Sequence, residues 1–425
     1  MRSLARPAVR LWREAERSRA ILPMMVCICL ACTSSSMLMT VVSLQLGEPG
    51  TDPRLVQMVL TAYPLGFLLG CIVTRTVVGR FGHQRSFQIA QIVAMAASAG
   101  FVATDFVPAW MLFRLAGGLS MASIFVICES WINLYALKHD RGALFSLYML
   151  SLSISLLMGQ LLVGAIGARS PQLLPVAALI ALAGVGIHVF GRAWPVLPVA
   201  SQVPAGARAV PSERLSVAAL FRLAPVTVVA ICLSGITNMN VFVLTPIYGT
   251  QIGLPATTTV ALVTALSVGC LVAQTPVGWF SDRFDRRVTL LVQGLLSVAL
   301  CVAIALTGSA SPLLLIVLFF LYGGIALTIY PVAIAYANSR MDSRHMVAAS
   351  GTLLLLYSVG NVATPGLASG MMEQVGPAAM FLILGSGAVF VALAAVYTMR
   401  VAAPVPELGP EPGPEPVRVM EEPLS

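Results

Sequence analysis

Apolar residues along this chain come in blocks. Runs of about 19 to 30 residues with few or no charges recur from end to end, and short segments holding most of the Arg, Asp and Glu divide them. A helix rises about 1.5 Å per residue, so roughly 20 apolar residues cross a hydrocarbon core about 30 Å thick. The blocks predict twelve spanning helices, at about 20–46, 54–78, 86–104, 108–137, 143–167, 171–192, 224–248, 256–280, 288–308, 312–338, 346–370 and 377–400.

The polar exceptions inside these blocks are few. The run from Pro108 to Gly142 carries Arg114 and Glu129, 15 residues apart, which is roughly 22 Å along a helix and about 60° around it. They share one broad side with Gly117, Gly118, Met121 and Phe125. A charge at the centre of a bilayer costs on the order of 3 kcal/mol even on the lenient insertion scale, so such residues face a protein interior or a water-filled cavity. Glu129 is the one carboxylate well inside a span, and is the candidate proton carrier. The alternative reading has Arg114 reaching to the interface and Glu129 pairing with Arg75 or a loop arginine. Weaker candidates for contact with a solute are hydroxyl-rich Thr33, Ser34, Ser35, Ser36 and Thr40 in the first span, Asn238 and Asn240 in the seventh, and Tyr330, Tyr336 and Asn338 in the tenth. Of these, Ser35, Asn238 and Tyr330 are ranked first as substrate-binding residues.

Composition widens this to the whole molecule. The chain is 58% hydrophobic and 10% charged, with a mean hydropathy of +0.90. No soluble domain has that make-up. The net charge of +8 does not point to nucleic acid, because the arginines sit in short loops between apolar runs. Placing the N-terminus inside puts the arginines of residues 1–19, with Arg80, Arg85, Lys138, Arg141, Arg283, Arg286, Arg287 and Arg400, on one side; Arg54 and Arg169 alone lie on the other. This asymmetry predicts an even number of spans and cytoplasmic termini. The segments expected are a basic N-terminal segment at 1–19, a first bundle at 20–192, a Pro- and Arg-rich cytoplasmic linker at 193–223, a second bundle at 224–400 and a disordered Pro/Glu tail at 401–425. The apolar run after the basic N-terminus is too long for a cleaved signal segment. Eight cysteines all fall inside apolar runs. Cys27, Cys29 and Cys32 splay over different helix faces and read as packing rather than as a metal site. Four scattered histidines, no nucleotide-binding loop and no nucleophile motif exclude the common enzyme classes and predict no cofactor.

The two halves repeat. LFRLAGG at 112–118 matches LFFLYGG at 318–324 with an offset of 206; Arg75–Arg85 maps onto Gly278–Val288 at 203, and Gly159–Gln160 falls near Thr364–Pro365 at 205. Six spans plus six as parallel repeats, with a site between them, is a transporter architecture. The stretch GWFSDRFDRR at 278–287 combines a small residue with a carboxylate among three arginines. Gly278 would permit close helix approach. Asp282 could pair with an arginine or cap a helix, and Arg283, Arg286 and Arg287 would hold the loop at an anionic membrane surface.

This stretch resembles the cytoplasmic-loop motif of the major facilitator superfamily, matching at Gly278, Asp282, Arg283, Arg286 and Arg287, with Asp285 where the motif has glycine. The first-half copy is weaker: Arg75 replaces the glycine and Gly79 the aspartate, while Arg80, Gly82 and Arg85 remain compatible. Glu129-Ser130-Trp131, Asp140-Arg141-Gly142, Tyr148, Gly159-Gln160 and Leu327-Thr-Ile-Tyr-Pro-Val-Ala333 are similar to the YcaD-like group within it. The resemblance implies an all-α integral membrane fold of 12 transmembrane helices in two pseudo-symmetric six-helix bundles. It implies a cavity lined by spans one, four, seven and ten, a cytoplasmic gate with Asp282 set against Arg141 and Gly142, and a proton-coupling role for Arg114. It brings no cargo.

The expectation is a secondary transporter of a small organic solute in a bacterial inner membrane. It would work as a monomer by alternating access, coupled to H+, with efflux ranked ahead of uptake. The competing readings on the same fold are a non-transporting membrane receptor or assembly partner, disfavoured by the lack of a large soluble domain, and lipid movement.

Overall fold

A computed structural model describes residues 5–48, 50–135, 141–190, 221, 225–340 and 343–401. Some side chains at helix ends beside the gaps, Arg141 and Asn338 among them, lie outside that description, as do most of the predicted linker and tail. The chain is helical along nearly all of this length, in the order Ala5–Leu46, Pro53–Ala103, Val107–Tyr135, Arg141–Ile166, Leu173–Phe190, Pro225–Gln251, Ala256–Arg283, Arg286–Thr307, Pro312–Ala326, Ile329–Arg340, Ser343–Gln374 and Ala379–Val401.

Three departures from the predicted spans have local causes. The first helix begins in the basic segment, with its apolar span running from Pro23 to Leu46. Spans two and three form one run of 51 residues, broken at Gly82, where φ is 75° and ψ 168°. Asp52 opens that run by accepting a bond from the Arg54 amide at 2.9 Å, with Pro53 in the first turn, where its missing N–H costs nothing. Span ten is two helices meeting at Leu327–Thr328. Pro331 lacks an N–H, and its ring crowds the carbonyl four residues back, that of Leu327. The Thr328 hydroxyl donates to the Gly324 carbonyl at 2.7 Å, and Gln293 donates to the Ile325 carbonyl at 3.2 Å and to Thr328 Oγ at 2.8 Å. Backbone groups near the break are thereby satisfied without water.

Nine helical stretches among the described residues are long and apolar enough to cross a membrane, one of them the double-length run through Gly82 and one the broken span Pro312–Ala337; 173–189 is a shorter apolar helix. Close packing repeats between halves. A Cβ on Gly66 would collide with the Leu115 carbonyl, and one on Gly118 with the Tyr63 carbonyl. In the second half the same collisions join Gly269 to Phe320 and Gly323 to Leu266. Spans two and four thus meet backbone to backbone as spans eight and ten do, which is how small residues bring membrane helices together. By packing role Gly118 equates with Gly323, one residue away from the alignment of the two Gly-Gly pairs.

The two bundles share one core at the end that carries Glu48 and Asp52. There Leu38, Val42 and Leu46 pack in one cluster with Leu244, Ile247 and Tyr248. Gly47 faces Thr250 and Ile247, Thr61 faces Gly366, and Gln57 faces Gly370, at 3.1–3.5 Å from the nearest atom a Cβ would meet. Toward the arginine-rich end the cores part. One cluster holds Met24, Ile28, Phe87, Ile124 and Trp131 of the first half alone; the other holds Val226, Leu290, Val332 and Tyr336, with Phe67, Cys71 and Ala122 reaching across at mid-depth.

Candidate functional site

The fourth-span helix Val107–Tyr135 carries both intramembrane charges, and the structure gives them different surroundings. Arg114 is 2% exposed and points into a pocket within the first bundle, lined by spans one, two, three, four and six. Its guanidinium lies 4.9 Å from the centre of the Tyr63 ring, and the Tyr63 hydroxyl meets Ser35 Oγ at 3.2 Å. Arg114 Nε and Nη2 have no hydrogen-bond partner among the described residues.

Glu129 is partly buried and forms no ion pair with Arg75 or any other described residue. It lies within electrostatic reach of Cys71 and Tyr148 and, across the junction of the halves, of Tyr330. Around it is an aromatic layer drawn from both bundles. Phe67 packs on Phe125 at 6.0 Å and on Tyr357 at 6.4 Å, and Tyr357 on Tyr330 at 5.4 Å. Cys71 Sγ and Ser358 Oγ bridge the halves at 3.7 Å, and Ser153 Oγ donates to Gln274 Oε1 at 3.2 Å. Tyr330 stands at the start of the second half of broken span ten, where an interrupted helix presents polar groups at mid-depth.

The trio Ser35, Asn238 and Tyr330 is not joined by hydrogen bonds among the described residues; Ser35 belongs to the Arg114 pocket and Tyr330 to the layer beside Glu129. Asn238 Oδ1 is buried without a partner. Asn240 instead bonds its own helix, at 3.2 and 3.0 Å to the Gly235 and Ile236 carbonyls. Asn361 is a further candidate that the structure adds. It is fully buried, and neither its Nδ2 nor its Oδ1 has a partner among the described residues, beside the contact of spans seven and eleven at Gly235. The available signal was an amide inside an apolar run. Tyr63, Phe67 and Tyr357 gave none, since an aromatic in a span looks alike whether it faces lipid or a site.

At the arginine-rich end, Asp282 and Arg283 form the last turn of one helix, Phe284–Asp285 the turn, and Arg286–Arg287 the first turn of the next. Asp282 accepts from Arg286 at 2.9 Å, and Arg286 also donates to the Ala335 carbonyl of span ten at 2.9 Å. Arg283 stacks over Trp279 at 4.5 Å. Asp285, which stands where the motif has glycine, caps the following helix and binds buried Arg287, which reaches the Thr398 carbonyl at 3.4 Å. Gly278 does not serve close approach here: a Cβ on it would meet nothing within 4 Å. Arg80 and Arg85 are exposed and form no ion pair with described residues, and the Arg141 side chain lies outside them, so the expected contact with Asp282 does too. His83, in the turn between spans two and three, bonds Ser130 Oγ at 2.9 Å and stacks on Trp131 at 6.2 Å. Burial holds its imidazole below the ordinary value.

The family model of the Major Facilitator Superfamily matches residues 24–268 and 256–422, nearly the whole chain. The chain belongs to the Major Facilitator Superfamily. Among sequence relatives it is similar to the MFS-type transporter YcaD of Salmonella dublin and of Salmonella typhi, 27% identical to each over 367 residues that cover 86% of this chain and 92% of theirs. Among solved structures it is similar to the partially occluded, inward-open xylose transporter XylE of E. coli, with a TM-score of 0.70 and 14% identity over 92% of this chain and 98% of that one. The nucleoside transporter NupG gives a TM-score of 0.68 and 17% identity over 91% and 99%. These likenesses give the fold, two six-helix bundles of a major facilitator protein, and make the chain a secondary transporter by family.

Proposed function

We propose that this major facilitator protein carries a small organic solute across the bacterial cytoplasmic membrane, exchanging it for protons through Glu129. The observation that supports this most is the setting of Glu129. It is an intramembrane carboxylate with no counter-ion among the described residues, beside the junction where Tyr330 and Tyr357 of the second bundle meet Phe67 and Cys71 of the first. A carboxylate so placed is charged or neutral according to how its surroundings change between states, and that dependence is what couples two transported species. In an antiport cycle Glu129 loses its proton to the cytoplasm as solute enters from that same side, so protons moving down an inward gradient drive solute out.

The basic residues favour a cytoplasmic arginine-rich end and cytoplasmic termini. With that orientation the shared core is an outer seal and the molecule faces inward. Bundles at 20–192 and 224–400 rock about the mid-depth layer in a monomer, with residues 193–223 as the linker between them. Asp282, Arg283, Arg286 and Arg287 form a latch whose contacts among the described residues lie within its own bundle in this state. Solved neighbours named as transporters of xylose and of nucleosides support a small polar solute as the cargo class.

The test compares small molecules inside and outside cells that lack the protein, express it, or express Glu129→Gln at equal membrane levels. A compound redistributed by the normal protein and not by the variant supports the reading. Equal redistribution by both removes Glu129 as the carrier.

A further inference from the structure

The pocket around Arg114 has no part in the Glu129 chemistry, and its electrostatics are lopsided. Arg114 is almost wholly buried, yet no carboxylate is among its electrostatic neighbours, of which Tyr63 is the one present. Glu129 is roughly 22 Å away along the same helix. What surrounds the guanidinium is neutral: the Tyr63 ring, the Ser35 and Ser120 hydroxyls, Met121 and Phe113. Ser34 is already engaged with the Ala177 carbonyl at 2.8 Å, and Ser120 with the Gly117 carbonyl at 2.8 Å. Two guanidinium nitrogens remain without acceptors. A buried charge left unpaired costs several kcal/mol, and a protein keeps one where a partner of opposite charge arrives. The pocket holds about 30 Å³ of free space. That is room for about two waters, and so for one small ion or the head of a larger molecule.

We infer that the Arg114 pocket is a binding site for a monoanion, either a halide or the carboxylate head of an organic acid. Arg114 supplies the charge, and the linked Ser35 and Tyr63 hydroxyls flank it. A carboxylate head would make the cargo an organic acid and rests on the transport reading; a halide would make the site a resident-ion site and does not. In both cases binding neutralises Arg114 and fastens spans one, two and four to one another, because Ser35, Tyr63 and Arg114 come one from each.

The test is thermal unfolding of the full chain in nanodiscs of zwitterionic lipid, with no gradient and no transport. Sodium chloride, formate, acetate or a hydroxy acid is titrated in at constant ionic strength against a bulky sulfonate salt. The expected result is a saturating rise in Tm of at least about 2 °C with one of these anions, absent in Arg114→Gln and weakened in Ser35→Ala. Arg114→Gln is itself expected to melt no lower than the normal protein in the sulfonate salt, since it removes an uncompensated buried charge. Saturation by chloride alone assigns a halide; saturation by the carboxylates assigns an acid head. No saturating response, or the same response in Arg114→Gln, overturns the site. If Arg114→Gln cannot be purified, Ser35→Ala alone decides: an unchanged anion response there overturns the site. Failure of the transport test above leaves this result standing, because binding is read without turnover.

Discussion

Asn361 shows at the level of one residue why the site was only partly legible. An unpaired buried amide costs about 1–3 kcal/mol, and both of its polar atoms are unpaired. Asn361→Leu is therefore expected to raise thermal stability while lowering transport, read as Tm in nanodiscs and as solute redistribution in cells. The polar atoms themselves were visible in the sequence: Arg114, Glu129 and Asn238 stand out in apolar runs. Their partners were not visible, because which of five neighbouring helices a side chain faces is decided by packing. Gly118 and Gly278 make the same point, one meeting a backbone carbonyl and the other open space. Gly118→Leu is expected to cost at least about 1–3 kcal/mol through overpacking against Tyr63. Gly278→Ala is expected to gain up to about 1 kcal/mol from helix propensity. Denaturation of the two variants side by side checks this. His83 adds a pH dependence. Its folded value lies below its unfolded one, so the unfolded chain binds the proton first and stability falls as pH drops through the ordinary value of 6.5. The fluorescence of Trp131, stacked on His83, reports the folded imidazole, and is expected to change below that value in the normal protein and not in His83→Gln.

At the scale of elements, periodicity and length located the spans to within a few residues, since a bilayer tolerates no other reading of long apolar runs. Breaks were harder. Pro331 lies in a run whose length predicts one helix, and the interruption appears four residues earlier, where the proline ring crowds the Leu327 carbonyl. Pro64, Pro246, Pro276 and Pro365 lie inside helices that continue, so proline alone does not signal a break. The difference at Leu327–Thr328 is the local supply of partners from Thr328 and Gln293. Pro331→Ala is expected to leave the protein folded, with a change in Tm of only a few degrees, while slowing transport at least several-fold, because Tyr330 is re-aimed when the two short helices join.

On the scale of the whole molecule, the repeat offset near 205 announced two related halves, and the paired glycine contacts of spans two with four and eight with ten give that repeat its physical content. The conformation could not be read from the sequence, since both ends of an alternating molecule must be compatible with one chain. One core shared at the Glu48 end and two cores at the arginine-rich end define the present state. The central claim is that the halves exchange this arrangement for its opposite. It is tested most directly by electron–electron distance measurements on two spin-label pairs in a background with the eight native cysteines replaced. Arg54→Cys with Val375→Cys reports the Glu48 end, and Arg80→Cys with Arg283→Cys the arginine-rich end; all four positions are exposed. The account predicts a short separation at the first pair in the dominant population, and opposite changes in the two pairs when pH is stepped or Glu129→Gln is introduced. Separations at both pairs that stay fixed under every condition would contradict it.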